Sequence, residues 1–495
     1  MVKPNFASGT IWTGDNLKVL RGINSECVDL IYLDPPFNSN RDYEAPIGSQ
    51  AASAEFKDTW TLDDVDVHEH GELADRNQAA YAVIDAARHA HGKGMMAYCI
   101  MMAVRLLEMR RILKPTGSIY LHCDDTAGHY LKLLMDGIFG ARQFRNAITW
   151  RRAVAHNDPG RYGRISDYLL FYTIGDKYTW NDVREKQDEE TLAKSFPKID
   201  DNGRRYRADN LTGPAHGQSG GESAREWRGY DIASRGRVWS APKKGTYADY
   251  IDEQWIPGYK TIEGVHERLE ALDAAGLIHH PTRGFWPGLK RYAEADVGKP
   301  LQDIIYNPTG LTNYSGKERT GYPTQKPLAL LARIVRASSN KGDMILDPFC
   351  GCATTCVAAE RLNRQWAGID LSPLAVKLVN ERIRTDRAAT KEADVIGFNL
   401  WGGVTALEAP PVRTDLGKLP NYRTHRHRLY GEQEGVCAGC ATHFPFRVMD
   451  VDHILPRSRG GTDHPDNLQL LCSGCNRSKG GKTMAEWKAA QQISN

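Results

Sequence analysis

The chain has 495 residues, 41% hydrophobic and 25% charged, and a net charge of only +3. That length allows roughly two to four domains and a core that needs no disulfide support. No run of about 18 apolar residues occurs, which excludes a membrane-spanning helix, and the opening MVKPNFASGT lacks the apolar core of a secretory signal. A cytoplasmic protein is therefore expected. The near-neutral charge leaves the class of partner open, because acidic surface elsewhere can offset a basic groove.

In chain order, the run VDLIYL at Val28–Leu33 is rich in β-branched and aromatic residues and is stopped by Pro35-Pro36. It predicts a buried parallel strand that delivers Asp34 at its C-terminal end. Residues 40–92 are polar and irregular, with a small-residue patch at Gly48–Ser53, and predict a loop beside Asp34. MMAYCIMMAVRLLEMRRILKPTG predicts a helix of about five turns, ended by Pro115 and Gly117. GSIYLHCDD predicts a strand ending in two acids, HYLKLLMDGIFG a helix closed by Gly140, and YLLFYT at 168–173 another strand. Strands alternating with helices imply a parallel sheet covered by helices.

From about 175 to 310 the alternation stops. Trp180, Trp227, Trp239, Trp255 and Trp286 sit among Arg, Lys, Gly and Pro and predict an inserted domain, with the tryptophans as its own core. From about 322 the pattern resumes: PLALLARIVRASS a helix, MILD a strand, TTCVAAERL a helix, QWAGID a strand. Residues 386–420, containing Pro410-Pro411, read as a linker before a last unit of roughly 70 residues. The divisions expected are 1–175, 176–310, 311–390, a 391–420 linker, and 421–495.

Two constellations carry chemistry in the larger unit. Around DPFCGC a strand enters a tight turn at Gly351, then a helix, then a strand ending in Asp370. A helix N-terminus offers free N–H groups, and an acid about 20 residues past the turn suits ribose hydroxyls. Many such units bind nothing, however, and Ala353 stands where a dinucleotide fingerprint wants glycine, so S-adenosylmethionine fits better than a dinucleotide. The second constellation is Asp34-Pro35-Pro36-Phe37. An exocyclic base amine is a poor nucleophile, because its lone pair is delocalised into the ring. The Asp34 carboxylate and the Pro35 carbonyl, fixed by the prolines, could accept its two N–H bonds. Phe37 offers a face for an extruded base. Alone, this motif reads equally well as a strand end with a solvated Asp.

TGDNL (13–17), LIYLDPPFNSNRDY (30–43), HGKGMMAY (91–98), GYPTQKPLALLARIV (321–335) and DPFCGCATT (347–355) together resemble the β-class DNA amino-methyltransferases, especially relatives of type III modification subunits. The order matches as well: catalytic motif first, cofactor motif last, insert between. The resemblance implies a Rossmann-like, seven-stranded α/β sheet with one reversed strand, and an inserted target recognition domain. It implies that Asp34, Pro35, Pro36 and Phe37 are catalytic. It places Asp15, Asp347, Phe349, Gly351, Asp370, Thr324 and Lys326 at the S-adenosylmethionine pocket. Relatives with Asp in the catalytic motif usually methylate adenine N6, and those with Ser cytosine N4, so Asp34 favours adenine.

Of ten cysteines, Cys27, Cys99, Cys123, Cys350, Cys352 and Cys356 read as free thiols. Cys437/Cys440 and Cys472/Cys475 form two C-x-x-C pairs roughly 30 residues apart, which suits one structural zinc ion. Between and after them, Asp452-His453, Asn467 and Asn476 resemble an HNH endonuclease, a small ββα-metal domain. Carried over, His453 is the general base, Asn467 orients it, and Asp452 and Asn476 hold Mg2+ or another divalent cation. Arg457, Arg459, Arg477, Lys479 and Lys482 could grip phosphates. His425, His427, His443 and His464 read as ordinary surface residues.

The expectation is a restriction-modification enzyme that methylates adenine N6 in double-stranded DNA and carries a fused HNH nuclease, with a homodimer as candidate assembly. The rivals are cytosine-N4 methylation and a zinc domain that only binds DNA.

Overall fold

The computed structural model describes residues 3–38, 43–44, 55–56, 73, 76–185, 187, 189–215, 221–282, 286–307, 318, 320, 322, 325–390, 404–416 and 421–492. Its centre is a nine-stranded sheet. The strand order is Ile304–Ile305, Phe144–Arg151, Ser166–Thr173, Leu113–Cys123, Val28–Leu33, Met344–Asp347, Gln365–Asp370, Thr10–Thr13, Thr405–Leu407. Ser166–Thr173 runs antiparallel to both of its neighbours, and every other pairing is parallel. The sheet thus has nine strands where seven are expected. The two additions are edge strands of two and three residues, short enough to close each rim without offering a long unpaired edge.

Both faces are buried, as a parallel sheet requires. Val28, Ile31 and Leu33 pack under helices Asn16–Gly22, Gln78–His91, Lys93–Ile112 and Gly128–Phe139, while Leu30 and Tyr32 face helices Leu328–Ser338, Thr354–Arg361 and Pro373–Thr390. The result is a three-layer α/β/α body.

Several local expectations change. The Lys93–Ile112 helix stops before Pro115, because the chain turns directly into the strand Leu113–Cys123. Residues 78–91 of the expected loop form a helix whose Ala80, Ile84 and Ala87 seal the core; most of 40–72 lies outside the described residues. The Phe144–Arg151 strand is not signalled by the local sequence. Its burial is mostly partial, so neither an alternating nor a continuous apolar run marks it. The stretch read as a linker is partly docked. The Pro373–Thr390 helix runs into it, Thr405–Leu407 joins the sheet, Asn24 Oδ1 accepts from the Thr414 amide (2.8 Å), and Asp415 Oδ2 accepts from the Ser25 amide (2.7 Å).

The insert has its own antiparallel sheet of Ile278–His279, Gly288–Tyr292, Arg205–Asn210 and Lys198–Ile199. Its core holds Trp227 and Trp239, with Trp255 and Trp286 packed against it. Trp180 instead stacks on Phe171 of the large sheet, at 5.9 Å. The last unit is a hairpin, Met449–His453 paired with Leu468–Cys472, followed by the helix Ser473–Lys479. No helix among the described residues is long and apolar enough to cross a membrane.

Candidate active sites

Val28–Leu33 and Met344–Asp347 are sheet neighbours, although hundreds of residues separate them in the chain. From that point successive strands run outward in opposite directions, which opens a crevice at the carboxyl ends. Asp34 and Asp347 end the two strands that flank it. The strand ends that must meet for the expected chemistry are adjacent.

Asp34 is pinned on one side only. Its Oδ2 accepts from Lys326 Nζ at 2.5 Å, and both side chains are largely buried. Its Oδ1 is buried with no hydrogen-bond partner, a state that costs free energy unless a ligand supplies the donor. Pro35 is buried, Phe37 is half-buried, and Asn38 turns the chain with φ of +60°. Phe37 stacks on the His122 ring at 5.9 Å and lies beneath Lys326 Nζ at 5.4 Å. His122 is fully buried and held from both sides, Nδ1 by the Tyr32 hydroxyl (2.9 Å) and Nε2 by Asp167 Oδ2 (3.2 Å). Burial alone would raise the Asp167 carboxyl. The hydrogen bond and charge of His122, with Lys326 and Arg152 beyond, hold it below the usual range. Three neighbouring strands thus build a rigid floor under Phe37. The sequence hides this floor, because a lone His in an apolar strand reads as packing.

The facing loop is equally organised. Gly351 donates its N–H to Asp370 Oδ2 (2.8 Å), and Asp370 Oδ1 accepts from the Ser372 amide (2.9 Å). Gly351 has φ of +49°, and a Cβ there would stand 3.0 Å from the Tyr322 ring, so glycine is required twice over. Ala353, the departure noted in sequence, takes φ of +56° as the residue before the Thr354–Arg361 helix, a conformation glycine adopts at lower cost. Asp15 caps the helix Asn16–Gly22 through the Leu17 amide (3.0 Å) and accepts from Arg105 (2.7 Å), while Asn16 Nδ2 donates to Pro348 O (2.8 Å). The TGDNL segment therefore braces the DPF turn. Phe349 packs toward the core, and Thr324 lies outside the described residues.

Asp347 is 3% exposed and pushed up to about 7 from an ordinary 3.8. Burial is the main cause. The Asp34 and Asp370 charges add to it, against hydrogen bonds from Thr355 and the Phe349 amide. Between those two values the folded chain holds a proton that the unfolded chain has released, so stability falls as pH rises. This contribution is complete below 3.8 and lost as pH rises through about 7; Asp370, raised by burial, acts in the same direction. Asp347→Asn is expected to flatten the fall in Tm of the cofactor-free protein between about pH 4 and 7. An unchanged slope in calorimetry would place the titration elsewhere. A pocket whose buried acids resist ionising suits a cationic ligand, and the sulfonium and amino groups of S-adenosylmethionine fit it.

In the last unit, one sulfur from each of Cys437, Cys440, Cys472 and Cys475 lies within 4.8 Å of the others. Tetrahedral zinc at about 2.3 Å from sulfur needs such a spacing. Amides already point at the sulfurs, Cys472 N to Cys437 Sγ at 3.2 Å and Gly439 N to Cys437 Sγ at 3.4 Å, as thiolate ligands require. Hydrogen bonds from Thr442 push Cys440 down to about 7.

Nearby, His453 Nε2 pairs with Asp463 Oδ1 (2.9 Å). Asn467 does not touch that ring. It clasps the loop after His453, donating to Leu455 O (3.0 Å) and Thr462 O (2.9 Å) and accepting from Leu455 N (2.8 Å). Asp452 Oδ2 is met by Gln469 (2.9 Å) and Lys479 Nζ (2.9 Å), which leaves Oδ1 to another partner. Lys479 is 1% exposed and also donates to His453 O (2.8 Å), so it is an internal tie rather than a phosphate grip. Asn476 lies one helical turn before Lys479 and shares its face.

A family model described as DNA methylase matches residues 28–381, and one described as HNH endonuclease matches residues 437–482. The chain is 33% identical over 381 residues to the type II methyltransferase M.EcaI of Enterobacter cloacae, covering 76% of this chain and 70% of that one. It is 27% identical over 369 residues to the type III restriction-modification enzyme StyLTI Mod subunit of Salmonella typhimurium, covering 72% of this chain but only 50% of that one. Among solved structures it resembles, at 15% identity and a TM-score of 0.35, the Thermus thermophilus DNA modification methylase TTHA0409 complexed with S-adenosyl-L-methionine, covering 81% of this chain and 98% of that one; this is too distant to carry a functional inference. The matched segments are those whose strand ends meet in the crevice, and the chain belongs to the N6/N4 DNA methylase family, with an HNH endonuclease domain following the methylase.

Proposed function

We propose that the chain methylates adenine N6 in double-stranded DNA and cleaves DNA with its HNH domain, as a restriction-modification enzyme. The unpartnered Asp34 Oδ1 beside the glycine turn carries the methylation reading. The target amine donates one N–H to that oxygen and the other to Pro35 O, which turns its lone pair out of the ring plane. Lys326 holds Oδ2, which keeps the carboxylate aimed. Phe37, backed by His122, receives the extruded base. Asp347, Asp370 and the Gly351 turn hold S-adenosylmethionine, which when bound supplies an electrophilic methyl group. Asp34 accepts the proton that the amine releases. The 176–310 insert serves target recognition.

In the HNH unit Asp463 holds Nε2–H of His453, so Nδ1 keeps its lone pair and takes a proton from water. Asp452 Oδ1 and Asn476 hold a divalent cation, which when bound neutralises charge at the leaving oxygen. A structural zinc ion joins the four cysteines. A homodimer is the proposed assembly, to be read by light scattering.

Long-read sequencing of DNA from cells expressing the chain tests the main reading. N6-methyladenine in a defined sequence context is expected. N4-methylcytosine would correct the base, and unmodified DNA would overturn the assignment. His453→Ala should remove metal-dependent cleavage by at least about a hundredfold and leave methylation intact. Equal cleavage by the variant would remove His453 from the chemistry, and a parent to which divalent metal adds no cleavage would reduce the zinc unit to a DNA-binding module.

A further inference from the structure

Residues 152–165 join the antiparallel strands Phe144–Arg151 and Ser166–Thr173 at the carboxyl edge of the sheet. The root is closed by Arg152 N and Ala153 N, which donate to Ile165 O (2.8 and 3.2 Å). That root is close to the base platform. Arg152 Nε lies 3.2 Å from Asp167 Oδ1, Asp167 holds His122, and His122 underlies Phe37.

The tip is folded back on itself. Asp158 accepts from the Arg164 amide through Oδ2 (3.1 Å) and from the Arg161 amide through its carbonyl (3.3 Å). Gly163 crosses so near that a Cβ would stand 2.1 Å from His156 O. This packing presents Tyr162, 98% exposed, between Arg161 and Arg164, both roughly half-exposed. Arg161 lies 3.9 Å from Asp158 Oδ1 and Arg164 3.4 Å from Asp125 Oδ2, and both guanidinium side chains remain about half open to a phosphate. A ring so exposed adds nothing to folding, and an exposed aromatic alone means little. An ordered loop that lifts an aromatic between two cations, rooted beside a base-stacking shelf, matches what an opened duplex offers. That is a slot between base pairs, bordered by phosphates.

We propose that this finger enters duplex DNA at the target base pair, Tyr162 stacking in the gap left by the extruded base while Arg161 and Arg164 contact the flanking phosphates. The proposal rests on the reading of Phe37 as the shelf for that base. Stacking of a base on an aromatic ring, measured by alanine substitution, corresponds to roughly five- to hundredfold.

Two measurements test it. Tyr162→Ala should lower kcat/KM for duplex methylation by about tenfold with cofactor affinity unchanged, and Tyr162→Trp should restore it. A rate within about twofold of the parent, or no rescue by Trp, overturns the stacking role. Independently of catalysis, the slope of log K against log salt for duplex binding should fall by about two in Arg161→Ala/Arg164→Ala. An unchanged slope overturns the finger as a DNA contact. A lower slope in the double variant, with a parent that never methylates, would sink the methyl-transfer reading and leave the finger standing as a DNA contact.

Discussion

Asp34→Ala is expected to reduce single-turnover methyl transfer by about a thousandfold or more, while cleavage by the HNH domain is retained. Two effects combine. The variant loses an oriented acceptor for the amine, and loss of one preorganised group at a reacting centre typically costs about 10²- to 10³-fold. It also removes the carboxylate that Lys326 Nζ meets at 2.5 Å, and the Lys326 side chain is only 10% exposed, so a largely buried charge pair is broken. Asp34→Asn keeps the shape and one acceptor oxygen but not the charge, so it should fall between parent and alanine. Cofactor affinity, measured by calorimetry, should change little, because Asp347, Asp370 and Gly351 stand on other elements. Transfer within about tenfold of the parent would remove Asp34 from the chemistry. Loss of both activities would show that the two folding units are coupled.

The second large effect concerns the cysteine cluster. Stripping zinc with a chelator, or Cys472→Ser, is expected to unfold residues 421–492 and abolish cleavage while methyl transfer survives. The buried core of this unit is Leu429, Met449, Val451, Leu468, Leu470 and Leu471, together with Cys437 and Cys472 themselves. A core this small gives only a few kcal/mol, whereas structural zinc contributes about 10–16 kcal/mol of apparent binding free energy to folding. Elemental analysis should find one zinc ion per chain, and limited proteolysis should degrade the stripped unit first. A stripped protein that kept its protease resistance in this segment would deny the cluster a structural role.

The strands and site residues differ in how legible they are in the sequence. The strands Val28–Leu33, Met344–Asp347 and Gln365–Asp370 are recognisable because each is a short apolar run closed by an acid or a proline, and burial on both faces leaves no other reading. Phe144–Arg151 is not, because partial burial dilutes its pattern. The four cysteines announce a metal site by spacing alone. Lys479 misleads, because a lysine at the end of a short basic helix looks like surface until its ammonium is found between Asp452 and His453 O. Asn467 misleads in another way. Its residue type and position suit a partner for His453, but Asp463, from the intervening loop, reaches the ring.

Local sequence suffices to say which residue types stand at the ends of which strands, and hence the class of chemistry: a carboxylate before two prolines and an aromatic, a glycine turn after a second acid, four thiols in paired spacing. These are local properties, set by a few consecutive residues. It takes the folded chain to make Asp34 and Asp347 the ends of neighbouring strands, to hold one oxygen of Asp34 with Lys326 and leave the other bare, and to bring Tyr32, His122 and Asp167 together beneath Phe37. Those facts depend on strand order and on which side chains share a face across the sheet. Each strand's register is fixed by burial of its neighbours, which no single segment of the chain encodes.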